Sequence, residues 1–81
     1  MALNRYDIQY HTNNDKQNES IMTVYAHTLK KALEFAGKRI ISIRRPRTIH
    51  FERYTAYDEN NNVISEGYSI RRIRYTVGGK Q

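Results

Sequence analysis

Thr48-Ile49-His50-Phe51-Glu52-Arg53-Tyr54-Thr55-Ala56-Tyr57, then Asp58-Glu59-Asn60-Asn61-Asn62, then Val63-Ile64-Ser65-Glu66-Gly67-Tyr68 is the stretch that decides the fold. Two runs rich in β-branched and aromatic residues flank a polar turn, the pattern of a β-hairpin. Asparagine tolerates left-handed backbone angles and aspartate folds onto its own backbone, so 58–62 reads as the reversal. The arms are Thr48 to Tyr57 and Val63 to Val77. Pairing Tyr57 with Val63 or Ile64 puts Arg47 opposite Ile73 or Arg74, Ile49 opposite Arg71 or Arg72, and Arg45 opposite Tyr75. Along the second arm Ile64, Tyr68 and Ile70 share one parity, and Ile73, Tyr75 and Val77 the other. A regular strand cannot bury both sets on one face, which predicts a β-bulge near Arg71-Arg72, with Gly67 as a second site.

Six of the nine arginines fall in Arg44-Arg45-Pro46-Arg47 and Arg71-Arg72-Ile73-Arg74. The hairpin register brings these runs together at its open end, while Glu52, Asp58, Glu59 and Glu66 lie toward the turn. Charge is uneven along the whole chain. Residues 1–38 set Arg5, Lys16, Lys30, Lys31 and Lys38 against Asp7, Asp15, Glu19 and Glu34, a balance of +1. Residues 39–81 carry the remaining +5 of a net +6. A basic half built almost wholly from arginine points to a polyanionic partner, because the guanidinium fork matches phosphate, guanine edges and carboxylate.

Upstream, residues 3–12 alternate, with Tyr6, Ile8 and Tyr10 on one side and Arg5, Asp7, Gln9 and His11 on the other, as in a half-buried strand. Asn13 to Ser20 is wholly polar and reads as a loop before a second strand, Ile21 to Ala26. Thr28 is a candidate N-cap for a helix Leu29–Ala36, whose apolar residues Leu29, Ala32, Leu33 and Ala36 recur at helical spacing. Gly37 is expected to stop it, and Ile40 to Arg45 to form a further strand bent by Pro46. The chain then reads as one domain over 1–81, with 78–81 a frayed tail. Its class is α+β: a small, mostly antiparallel sheet of four to five strands with one helix on one face, in the order β-β-α-β-β-β.

The absence of cysteine excludes disulfides and thiolate catalysis. Without a membrane-spanning stretch or a signal-peptide core, the protein reads as cytoplasmic. His11, His27 and His50 lie far apart and lack metal-binding spacing, so neither metal nor cofactor is expected. His50, Glu52 and Tyr54 project from one face of a regular strand, a layout open to acid–base chemistry. A polar ladder in which Glu52 pairs with a neighbouring cation explains it more simply. No nucleophile has an adjacent base, so the chain reads as non-enzymatic, with a small basic ribonuclease as the enzyme to exclude.

Basic surfaces with stacking side chains hold unstacked nucleic acid. The candidate binding residues for nucleic acid or another anionic partner are therefore Arg44, Arg45, Arg47, Arg71, Arg72 and Arg74, with Tyr54, Tyr68 and Tyr75 on the same arms. The first expectation is a binding module for nucleic acid or a ribonucleoprotein. The alternative is a small inhibitor or adaptor, of the kind carried by phages and mobile elements to block host or defence machinery. It would dock the same residues on an acidic protein groove. Exposed edge strands allow a homodimer.

Overall fold

The computed structural model describes residues 3–13 and 15–74, with side chains detailed outside 15–18 and 68–74. Two hairpins flank one helix: β1 (Asn4–Thr12), β2 (Asp15–Ala26), α1 (Leu29–Arg44), β3 (Thr48–Tyr57) and β4 (Val63–Arg74). The strands form one antiparallel sheet in the order β2-β1-β3-β4, so the N-terminal strand is interior and joins the hairpins. The α+β class, with one helix against an antiparallel sheet, agrees with the sequence reading. Among the described residues the sheet has four strands, within the four to five expected.

Alternation decides which side of β1 is buried. Tyr6, Ile8, Tyr10 and Thr12 face the helix side and are buried, while Arg5, Asp7, Gln9 and His11 face outward. Directly paired residues share a face, so β1 aligns Val24 of β2 and Ala56, Tyr54, Phe51 and Ile49 of β3 on the same side. Against them α1 sets Ala32, Leu33, Ala36 and Ile40, packing mainly over β2 and β1. Burying each large side chain here contributes about 1.5–3 kcal/mol.

The helix corrects one expectation. Ile40 to Arg45 is not a strand: α1 runs through Gly37 to Arg44. Buried Ala32, Leu33, Ala36, Gly37 and Ile40 keep the 3.6-residue spacing across the glycine, so packing outweighs the β preference of Ile40-Ile41. Thr28 caps the start as expected, its Oγ1 accepting the Lys31 N–H at 3.2 Å. The stop is Arg45, in left-handed conformation at φ 48°, its N–H donating to the Ile41 carbonyl. Pro46 follows, a common sequel to such a cap.

A second correction concerns Asn13 to Ser20. Strand β2 begins at Asp15, pairs with Thr12 across a tight reversal and is irregular between there and Ser20. Pairing at Asp15 and Ser20 anchors both ends of this polar stretch on the sheet edge, where no apolar side chain is needed. Asn13 ties the reversal to β3, its Oδ1 accepting the backbone N–H groups of Arg47 and Thr48 at 2.7 and 3.0 Å.

The decisive hairpin forms with Tyr57 opposite Val63, but two irregularities shift its register. One lies beside the turn. The other lies between Tyr68 and Arg71, close to the expected bulge, and leaves Ile49 opposite Ile73 rather than an arginine. Gly67 is not the bulge. It pairs regularly with Tyr54, whose ring lies so close that a Cβ at Gly67 would come within 2.7 Å of it.

In the turn, Asn61 is left-handed at φ 66°, and Asp58 Oδ1 accepts the N–H groups of Asn60 and Asn62 at 2.8 and 2.9 Å. The Asn62 bond, then that of Asn60, holds the carboxyl below its ordinary 3.8. A depressed carboxylate stabilises the turn above its unfolded pKa and loses that contribution as pH falls through the folded value. The Asn60 and Asn62 amide shifts are therefore expected to titrate together with a midpoint below 3.8. Asp58→Ala should abolish that titration in a two-dimensional NMR series.

Candidate functional site

Strand directions bring both arginine runs to one end of the sheet. That end gathers the termini of β1 at Thr12, β3 at Thr48, β4 at Arg74 and α1 at Arg44. Thr48 pairs with Arg74, so Arg47 adjoins the last residue of β4. By backbone register Arg72 stands opposite His50, Arg74 opposite Thr48 and Arg71 opposite buried Phe51.

Arg44 departs from this group. Its guanidinium reaches toward β2, donating to Ser20 Oγ at 3.4 Å and lying 5.9 Å from the Tyr10 ring centre. Arg45 and Arg47 are exposed, and no carboxylate with a described side chain lies within ion-pair distance of either. Acids elsewhere are engaged locally. Asp7 accepts from Thr23 and lies 3.5 Å from Arg5, and Glu66 lies 3.9 Å from Arg53.

The tyrosines divide. Tyr54 lies on the helix side, half-buried against the core, with its hydroxyl 2.7 Å from Ser65 Oγ. The bulge at Glu52 reverses the alternation of β3, separating Tyr54 from His50, with which a regular strand would have aligned it. Tyr68 pairs with outward-facing Arg53 by register. Tyr75, and with it the expected Arg45–Tyr75 pairing, lies outside the described residues.

The bare outer face supplies what the sequence reading did not place. Arg5 lies over the Tyr57 ring at 4.1 Å. A shallow hollow of about 230 Å³ is lined by Asp7, Gln9, Ile21, Arg53, Thr55 and Tyr57. At the arginine end of this face His11 stacks on His50, ring centres 4.5 Å apart. Glu52 Oε2 reaches both rings, 3.2 Å from His11 Nδ1 and 4.0 Å from His50 Nδ1. Glu52 pairs with neighbouring side chains that can carry positive charge, and His11 across the strands is nearer than His50. Only the β1–β3 pairing could have revealed it, and nothing local in the sequence encodes that pairing.

Among the described residues no helix is long and apolar enough to cross a membrane. The chain matches no protein-family model, no curated protein and no solved structure.

Proposed function

We propose that the protein is a cytoplasmic, non-enzymatic module that binds nucleic acid along the outer face of its sheet, anchored at the arginine end. The observation that carries this reading is the meeting of the two arginine runs at one end of the sheet, where Arg72 pairs with His50 and Arg74 with Thr48 beside exposed Arg45 and Arg47. Arginines at that end neutralise phosphates and fix orientation, without reading sequence themselves. The Arg5 guanidinium stacked on Tyr57, with the hollow beside it, offers a planar surface on which an unstacked base can lie.

Titration of mixed single- and double-stranded oligonucleotides over a salt series tests the proposal. Each phosphate contact contributes a slope of about −0.9 on duplex and about −0.7 on single strands in a plot of log affinity against log salt. The expected result is saturable binding that weakens steeply with salt. Binding that is absent, or indifferent to salt, overturns it. Incubated RNA should remain intact; cleavage lost in His50→Ala would make the protein a small ribonuclease instead.

The second reading is a protein inhibitor or adaptor that docks the same arginines on an acidic surface; a separate groove of about 340 Å³ between β2 and α1, lined by Thr23, Val24, Tyr25, Phe35 and Arg39, offers it a further contact. Tyr25 is 58% and Phe35 46% exposed there, an apolar patch rimmed by a cation. A module of that kind would ignore free nucleic acid and recover one stoichiometric protein partner.

A further inference from the structure

We propose that His11, His50 and Glu52 form a binding site for a divalent first-row transition metal, with Zn²⁺ the expected occupant. One donor atom from each of the three lies within 4.8 Å of the other two. Metal–ligand bonds of about 2.0–2.2 Å in tetrahedral arrangement require donors roughly 3.3–3.5 Å apart. Glu52 Oε2 already stands 3.2 Å from His11 Nδ1 and 4.0 Å from His50 Nδ1. The two rings stack with centres 4.5 Å apart, so binding an ion requires the imidazoles to turn until their nitrogens converge on it, a rotation about χ2, which is a broad torsion for histidine.

Three features of the fold build this group. Strand β1 pairs with β3 so that His11 faces His50 directly. Both lie at positions that alternate away from the core. An extra residue in β3 between Phe51 and Arg53, which is Glu52, re-aims the carboxylate toward both rings, as bulges do beside functional sites. The three side chains are 20%, 27% and 35% exposed for His11, His50 and Glu52 respectively. Each is thus partly shielded yet reachable by an ion from solvent. Two imidazoles and a carboxylate suit zinc, copper or nickel rather than magnesium or calcium, which take oxygen ligands. Three protein ligands leave a fourth position for water or an anion.

The test is titration of untagged full-length protein with ZnCl₂ and CoCl₂, followed by calorimetry, by the visible spectrum of Co²⁺ and by histidine ring NMR signals. One equivalent of metal should bind, give the intense visible bands of tetrahedral cobalt, and shift the ring signals of His11 and His50 while leaving those of exposed His27 in place. Glu52→Gln, His11→Gln and His50→Gln, which keep side-chain size, should each weaken binding more than about tenfold, since even residues behind the ligands cost 10–100-fold when changed. His27→Ala should bind as the parent does. Absence of saturable uptake, ring shifts centred on His27, or full binding in His11→Gln and His50→Gln would overturn the site. The readouts need no nucleic acid, so the outcome is independent of the binding function proposed above.

Discussion

Lys38→Pro is expected to lower stability by about 3 kcal/mol, seen as an earlier urea midpoint and a loss of helical circular dichroism. Lys38 is exposed, so no core packing is removed. The cost comes from the backbone: proline lacks the N–H that an uninterrupted helix donates four residues back, and its ring strikes that carbonyl. The position discriminates between two readings of the chain. A helix ending at Gly37 would accept proline immediately after its cap, whereas α1 continues to Arg44. A domain of this size has roughly 4–12 kcal/mol in total, so the loss is a large fraction. Lys38→Ala should stay within about 0.5 kcal/mol of the parent. A tolerated proline would mean that the helix stops where the glycine suggests.

The second large effect concerns binding. The paired substitution Arg72→Ala with Arg74→Ala is expected to reduce affinity for mixed oligonucleotides at least about tenfold at low salt and to flatten the salt slope by about two units on duplex. The two residues are two apart on β4 and pair with His50 and Thr48, the spacing at which a regular strand repeats a face. Lys30→Ala with Lys31→Ala removes the same formal charge from the exposed start of α1. It should leave most of the affinity and slope intact. Equal losses in the two pairs would reduce the interaction to diffuse charge and remove the basis for a site at the arginine end.

Much of this fold was legible in the residues because local signals agreed with tertiary packing. Alternation in residues 3–12, the Thr28 cap and the asparagine turn each named an element, and each is present. The strand misassigned at Ile40 shows where local signals conflict. Ile40-Ile41-Ser42-Ile43 favours a strand by propensity, yet its spacing extends the helical stripe begun at Ala32, and burial of Ile40 decides the outcome. The polar start of β2 was invisible for the opposite reason, since backbone pairing at a sheet edge needs no apolar signature. At the candidate site the sequence indicated the arginine end but not the His11–His50–Glu52 group. That group depends on which strands become neighbours and on one inserted residue, both properties of the assembled sheet.

The interior position of β1 has a consequence for how the chain is made. Arg5 pairs with Tyr57, and every β1–β3 contact spans a comparably long loop. The first strand becomes free to pair before its second neighbour does, so half of its hydrogen-bonding groups must wait in water or find a substitute. The N-terminal hairpin can form early on local contacts, but the central seam closes only once the second hairpin has emerged. Such long-range closure slows folding, so the joining of the two hairpins is expected to set the pace at which the native molecule appears.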